Sequence, residues 1–364
     1  VKFRCERDVL SDALSTAGRA AGGRTGSPSL SGLRLTLNGD QLEVTGTDLD
    51  LSIRVAVSVS GIEDGRAVVP GKLAGEVVRS LRPGAVEVQA EGEQIHISSG
   101  TSEFSLQLIP SEDFPQVGEP DGHSVTVDGS TLASSLRQVV AAASTDESRQ
   151  ILTGVLFAAE GTGLRLVSTD SFRLAVRDLP GTNVLAEGQS VLVPSRALVE
   201  LERLLTEDVA VNLVLGERDA SFSIDSVRLT TRLIEGEFPS YRNLIPTSLP
   251  NRVVASRENF VDALKRVRLL APPETTAIRL IFNSESLTLK AQTMDKGEAS
   301  ETIEAKYEGA ELTVAFNHRY LLDGLEACEG AEISLETVDA MKPALLRSTE
   351  SQDFLYLLMP VRVP

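Results

Sequence analysis

The sequence predicts an α+β fold made of three tandem modules, each with two helices and about eight strands. Three observations carry this reading. A strand–turn–strand–corner stretch begins at Leu30 ("LSGLRLTLNGDQLEVTGTDLDLSI"), again at Leu152 ("LTGVLFAAEGTGLRLVSTDSFRLAV") and more faintly at Thr276 ("TAIRLIFNSESLTLKAQTMDKGEAS"). Its polar corner carries Asp48, Asp170 and Asp295, which lie 122 and 125 residues apart. Around each stretch the same helices and strands return in the same order, so the repeat is a whole folding unit rather than a short-period solenoid.

The elements can be justified in chain order. Each module opens on a helix: "DVLSDALSTAG", "STLASSLRQVVAAAS" and "ENFVDALKRVRLLA". Their apolar residues recur three and four apart, as in Leu10 with Leu14 and Leu132 with Leu136, which buries one face. The repeated stretch follows, alternating with period two and turning at Gly or Asn. Next, a short strand runs into a second amphipathic helix at 68–81, 191–205 and 314–328. Pro70, Pro194 and Asn317 stand at those helix starts, where the N–H that Pro lacks had no partner. The modules close on "FSLQLIPSEDFP", "LTTRLIEGEFP" and "LYLLMP". The boundaries are 1–120, 121–247 and 248–364. The apolar end "FLYLLMPVRVP", unusual for a terminus, is then the closing strand of the third module.

Bulk properties fit that division. A chain of 364 residues is too long for one ordinary core and suits two or three domains. Hydrophobic residues at 41% and charged ones at 24% are the mix of a soluble globular protein rather than a disordered one. No apolar run has the length of a membrane span, and the N-terminus lacks the layout of a signal peptide. Two cysteines, Cys5 and Cys328, near opposite ends offer neither a disulfide framework nor a zinc motif, which fits a reducing cytoplasm. The formal charge of −17 argues against nucleic acid unless the charges are segregated.

"TGTDLDLSI", "DFPQV", "TDSFRLAV", "GEFPSYRNLIP" and the terminal "MPVR" resemble the bacterial DNA polymerase III β subunit, the sliding clamp, along the whole chain and in order. The resemblance implies a head-to-tail homodimeric ring around double-stranded DNA, with no catalysis and no cofactor. Packing geometry supports two chains. Helices packed roughly 9 Å apart leave a bore of roughly 7 Å for six, 24 Å for twelve and 42 Å for eighteen, against about 20 Å for a duplex. The lining segments are taken as 8–24, 71–82, 131–150, 194–205, 258–270 and 317–328. They hold 13 Lys and Arg against 11 Asp and Glu, while the remainder holds 22 against 41. The negative charge is therefore outside the lining, as a weak, sequence-blind contact requires.

The resemblance also implies site residues. Arg24, Lys72, Arg137, Gln150, Arg196, Lys265, Arg266 and Arg268 face DNA, with Gln150 and Ile151 replacing aromatic residues frequent near the DNA path. A partner-peptide groove is formed by Leu152, Thr169, Phe172, Arg173, Leu174, Pro239, Leu244, Leu357, Met359, Pro360, Val361 and Arg362. It takes short linear motifs of the replicative polymerase, the clamp loader and repair proteins. Phe172 stands where histidine is frequent and Asn243 where arginine is, so this groove is expected to be more apolar and less cationic. Phe104 and Leu106 of one chain are expected to meet Leu269 and Leu270 of the other. Location is expected to be cytoplasmic, on the nucleoid during replication.

Other readings compete. An acidic peptide-binding scaffold that never encircles DNA is kept open by the small positive margin of the lining. A hydrolase working through Asp170 and Ser171 is more distant: an aspartate recurring once per module suits a fold corner, because Asp at turns bonds its own backbone. His96, His123 and His318 share no metal-ligand spacing, and "GKLAG" lacks the Gly and the Ser or Thr of a phosphate loop.

Overall fold

The computed structural model describes residues 1–22, 28–118, 120–206, 209–272, 276–294 and 296–362. The first module holds β1 (Lys2–Glu6), α1 (Arg7–Gly18), β2 (Gly32–Asn38), β3 (Gln41–Thr47), β4 (Leu51–Ser58), β5 (Ser60–Glu63), β6 (Gly65–Pro70), α2 (Gly71–Ser80), β7 (Ala85–Glu91), β8 (Gln94–Ser99) and β9 (Ser102–Gln107). The second holds β10 (Ser124–Asp128), α3 (Gly129–Val140), β11 (Gly154–Glu160), β12 (Gly163–Thr169), β13 (Arg173–Pro180), β14 (Ser190–Pro194), α4 (Ser195–Leu204), β15 (Ala210–Leu215), β16 (Asp219–Ile224) and β17 (Val227–Arg232). The third holds β18 (Asn251–Ser256), α5 (Arg257–Val267), β19 (Ala277–Asn283), β20 (Ser286–Thr293), β21 (Gly297–Glu308), β22 (Leu312–Asn317), α6 (His318–Ala327), β23 (Glu332–Thr337), β24 (Ala344–Ser348) and β25 (Phe354–Leu358).

The chain forms two compact units, residues 1–130 with 200–233 and residues 131–199 with 234–364. In the first, an antiparallel sheet runs β5-β1-β7-β8-β9 and a second runs β10-β15-β16-β17-β4-β3-β2-β6. Helix α1 lays its buried stripe, Leu10, Ala13, Leu14 and Ala17, over β3 and β4 beside α2. In the second unit one sheet of twelve strands runs β14-β11-β12-β13-β25-β24-β23-β18-β21-β20-β19-β22. Helix α5 starts at Ser256, whose hydroxyl accepts from the Asn259 N–H, and buries Phe260, Val261, Ala263, Leu264 and Val267. The alternation read from sequence has a cause here: strands such as β2 bury every second residue, Leu33, Leu35 and Leu37, on one face.

Two junctions link modules through strands. β17, the last strand of the second module, pairs with β4 of the first, Leu229 opposite Ile53 and Thr231 opposite Leu51. β25, the last of the third, pairs with β13 of the second, Leu357 opposite Leu174 and Arg173 opposite Leu358. The chain then leaves each closing strand in the same way. Ile109 donates its N–H to the Val68 carbonyl at 2.8 Å, Ile234 to Leu192 at 2.8 Å and Val361 to Ala315 at 2.7 Å. The apolar ending is thereby accounted for: Phe354, Tyr356, Leu357 and Leu358 are buried in a central strand. Each such burial contributes on the order of 1.5–3 kcal/mol.

The segment 131–150 is not one helix. α3 stops at Val140, and residues Glu147–Thr153 form a 3-10 turn with Arg149 bent out of helical geometry. Asp146 starts the second of these: its carboxylate accepts from the Ser148 N–H at 3.0 Å and from the Arg149 Nε at 3.1 Å, as a cap at the head of the turn. Gln150 therefore stands on this turn, and Arg24 lies outside the described residues.

Helix and sheet approach closely at one repeated point. A Cβ on Gly46 would stand 2.1 Å from the Ala17 carbonyl oxygen; at the matching place Ser168 donates its hydroxyl to the Val139 carbonyl. Gly46→Ala should therefore cost about 1–3 kcal/mol through forced separation of α1 from β3, read as a lower urea midpoint. An unchanged midpoint would show that the helix end can lift freely.

Candidate partner-peptide groove and DNA-facing residues

The groove begins at a corner. Between β12 and β13, the Thr169 hydroxyl donates to the Arg173 carbonyl at 2.6 Å and accepts from the Ser171 N–H at 3.1 Å. Asp170 Oδ1 accepts from the N–H groups of Phe172 (2.9 Å) and Arg173 (3.1 Å). This closes the turn with Ser171 at φ 82°, a left-handed conformation that costs a non-glycine residue energy. The first module builds the same corner: Thr47 donates to the Leu51 carbonyl, Asp48 accepts from Asp50 and Leu51, and Leu49 has φ 84°. The aspartates are thus the turn's own hydrogen-bond acceptors. The third module departs: Thr293 donates instead to the Leu270 carbonyl at 2.7 Å, Met294 is fully exposed, and Asp295 lies outside the described residues.

Beyond the corner, β12, β13, β24 and β25 present an apolar outer face. Val167, Leu174, Val176, Leu345 and Leu357 form a buried cluster with Tyr241, and Phe238, Ile245, Leu156, Leu249 and Leu355 pack against it. The first module shows why this is a special surface. The cross-strand positions held by Leu156, Val167, Val176 and Leu174 correspond to Arg34, Thr45, Arg54 and Ser52. Polar residues cover the outer face in one module and apolar residues in the next. Sequence reading found Leu174 and Leu357 but missed Val167, Val176, Tyr241 and Leu345; aligning the outward positions of the two modules reveals the first two.

Around the cluster the predicted residues divide. Phe172, Leu244 and Met359 are exposed, and the Met359 N–H donates to the Phe172 carbonyl at 2.9 Å. Pro239 and Leu244 lie on the loop that carries Phe238 and Tyr241. Leu152 is half-buried, with its carbonyl accepting from the Ser144 N–H at 2.8 Å. Leu174 and Leu357 are 1% and 2% exposed, so they serve as floor rather than wall. Pro360 is half-buried, the Val361 N–H donates to the Ala315 carbonyl at 2.7 Å, and Val361 and Arg362 line a recess with Ala315 and Met341.

Phe172 is held as a shelf. Its ring stacks on Tyr320 at 6.3 Å, and the Arg173 guanidinium sits 4.4 Å from the other ring's centroid. Sequence reading offers Arg173 to the peptide's polar end, yet the guanidinium turns inward onto Asp170 (2.9 Å), Asp323 and the Tyr356 hydroxyl (3.4 Å). Burial alone would lower its pKa, but Tyr356, Asp323 and Asp170 outweigh that and raise it. The Tyr356 hydroxyl, itself pushed up by burial, donates to the Tyr320 carbonyl at 2.9 Å. Asn243 is exposed beside Arg242, which is committed to Glu160 at 2.5 Å and holds that carboxyl below its usual range.

The DNA-facing candidates spread over several elements. Lys72 on α2, Arg137 on α3, Arg196 on α4 and Gln150 on the 3-10 turn are exposed. Lys265 reaches Glu326 at 2.7 Å, and Arg266 grips Glu301 through two bonds of 2.9 and 2.6 Å. Arg268 is half-buried. Of the interface candidates, Leu269 is 76% and Phe104 36% exposed, Leu270 is half-buried and Leu106 is buried. Asp170→Ala removes two backbone acceptors and a buried partner of Arg173, so it should cost about 3 kcal/mol, read as a Tm lowered by several degrees. A Tm within a degree of the parent would mean that Thr169 alone holds the corner.

Family comparison follows this geometry closely. The N-terminal, central and C-terminal domain models of the DNA polymerase III beta subunit match residues 1–118, 126–240 and 242–362. The chain is 35% identical to the beta sliding clamp of Streptomyces coelicolor and 31% identical to that of Escherichia coli K12, each over all of both chains. Among solved structures, it resembles the DNA polymerase III subunit beta of Pseudomonas aeruginosa (TM-score 0.94, 29% identity, all of both chains). It also resembles the sliding clamp of Bacillus subtilis (TM-score 0.93, 30% identity, 100% and 99% covered). Three clamp domains in order, on a fold with matching corners, place this chain in the DNA polymerase III beta subunit family, the beta sliding clamps.

Proposed function

We propose that two chains close head to tail into a ring around double-stranded DNA, holding the replicative polymerase there without reading sequence and without catalysis. The three modules are 1–120, 121–247 and 248–364. Short linear motifs of the polymerase, the clamp loader and repair proteins dock on the apolar face beside Phe172, Leu244 and Met359. The protein works in the cytoplasm, on the nucleoid during replication, without a cofactor; no described helix is long and apolar enough to cross a membrane.

The carrying observation is a junction that occurs twice within the chain and has its two halves left over. β9, the closing strand of the first module, pairs with β8 alone among the described residues, and β21 offers residues 297–304 with β20 on one side only. These are the counterparts of β17 with β4 and of β25 with β13. Carrying over the register puts Leu106 of one protomer opposite Gly297 of its partner, Phe104 opposite Ala299 and Ser105 opposite Glu298. Exposed Leu269 stands at the head of β21, because Thr293 anchors Leu270 and pairs with Gly297. The interface expected between Phe104, Leu106, Leu269 and Leu270 is supported by that adjacency.

A double variant, Ser105→Cys with Glu298→Cys, should yield a covalent dimer on mild oxidation, while either single variant should not. The native thiols interfere little, since burial pushes Cys5 up to about 11 and Cys328 up to about 12. The ring itself is tested by loading the protein with an active clamp loader onto nicked circular DNA. Retention on circles and loss on linearisation is expected; equal retention on both, or none on circles, favours the non-encircling scaffold.

A further inference from the structure

One ion pair ties two of the proposed lining helices together. Lys265, in the last turn of α5, reaches Glu326, near the end of α6, at 2.7 Å. Both side chains are close to half exposed, 45% and 48%, so water and ions reach the pair. Arg203, on another lining helix, pairs at 2.6 Å with Glu200, three residues back on the same helix, an arrangement that supports the helix carrying it. Lys265 is instead held from a neighbouring helix. The Gln138 side chain of α3 donates to the adjacent Ala327 carbonyl at 3.0 Å, so the ends of α3, α5 and α6 converge at this carboxylate.

Glu326 stands where helix physics disfavours an acid. α6 runs His318–Ala327, and its last turn contains no basic residue. The carbonyl end of a helix carries partial negative charge, so a carboxylate there opposes the dipole and a neutral residue serves better. Capping does not account for it: the Cys328 N–H that closes the helix donates to the Gly324 carbonyl. What the carboxylate does is hold Lys265, a cation of the proposed DNA path. Carboxylate and phosphate oxygens offer an ammonium the same kind of charge-assisted contact. Glu326 is thus a competitor for phosphate, kept at some expense to its own helix.

We infer that Glu326 sets how firmly the lining holds DNA, by occupying Lys265 in place of a backbone phosphate; the role presupposes the proposed ring. Exchange between carboxylate and phosphate changes little for Lys265, so the duplex passes without a strong hold. Clamps are loaded by an active clamp loader onto nicked circular DNA, the DNA is linearised, and run-off is timed at about 50 and about 200 mM salt. Glu326→Gln should run off about threefold more slowly than the parent at the lower salt and at nearly the parental rate at the higher, as one added phosphate contact requires. Adding Lys265→Gln should abolish that gain, because the ammonium is what the first substitution frees. Glu336→Gln removes the same charge from a pair with Arg252 at 3.4 Å, outside the lining segments, and should leave run-off unchanged. The thermal melt of Glu326→Gln should not fall, since the carboxylate opposes the helix dipole. Parental run-off of Glu326→Gln at low salt, a gain that survives Lys265→Gln, an equal gain in Glu336→Gln, or a melt lowered by several degrees would each overturn the inference alone. A parent that stays on linear DNA as it does on circles would overturn the ring, and this inference with it.

Discussion

The structure depends on a strand that closes one module by completing another's sheet. β17 and β25 are the last strands of their modules, and each lies against the fourth strand of the module before it. A backbone ladder of this kind leaves few unpaired N–H and C=O groups, and it fixes register by the alternation of buried and outward side chains. One residue of slip would turn Leu357 off the peptide face and put Tyr356 onto it. The junction therefore decides both how the modules join and which side chains the groove presents. The proposed third instance, β9 of one chain against β21 of another, would cover two sheet edges that otherwise invite aggregation.

From that junction the groove follows with little freedom. β25 brings Leu357 beside Leu174, and the same strand carries Tyr356 on its opposite face into the hydroxyl–guanidinium–carboxylate cluster around Arg173. Helix α6 contributes Asp323 and Tyr320 to that cluster, and Gly324 lets the helix come close: a Cβ there would be 2.6 Å from the Tyr356 ring. Phe172 then rests on Tyr320 and stays largely exposed. With the Arg173 cation turned inward and the Phe172 ring left exposed, the surface at this corner is apolar. A partner peptide docking there, as proposed, would be selected by shape and apolar contact more than by charge pairing.

Much of this was legible in the sequence, and the failures have physical reasons. Periodicity gave the helices and the repeat, because Leu10, Leu14, Leu132 and Leu136 are buried for the reason their spacing suggests. The Thr-Asp corner can be read twice, at 47–48 and 169–170; in the third module the sheet register puts Gln292 and Thr293 at those two positions, so matching by aspartate is two residues off. α3 stops at Val140 and Asp146 caps a separate 3-10 turn, a break that a local side-chain cap makes without leaving an apolar trace. Val167 and Val176 read as ordinary strand residues. Their role emerges only against Thr45 and Arg54, since an outward apolar residue is informative where its counterpart is polar. The inward turn of Arg173 has no sequence signal at all; it depends on Asp323, 150 residues away.

Charge remains the sharpest constraint on how such a ring would hold DNA. With a formal charge of −17, the chain cannot rely on a strong field, and two of the candidate cations are already engaged: Lys265 with Glu326 and Arg266 with Glu301. Exposed pairs of this kind are each worth on the order of 1 kcal/mol or less and exchange readily. A phosphate can displace the carboxylate, but the net gain is small. Few released counterions mean a shallow salt dependence and weak binding, which would be fatal for a protein holding DNA by contacts. For a closed ring it is an asset, because topology supplies retention and every strong contact would oppose sliding. The weak lining and the strand-built closure are therefore two sides of one requirement.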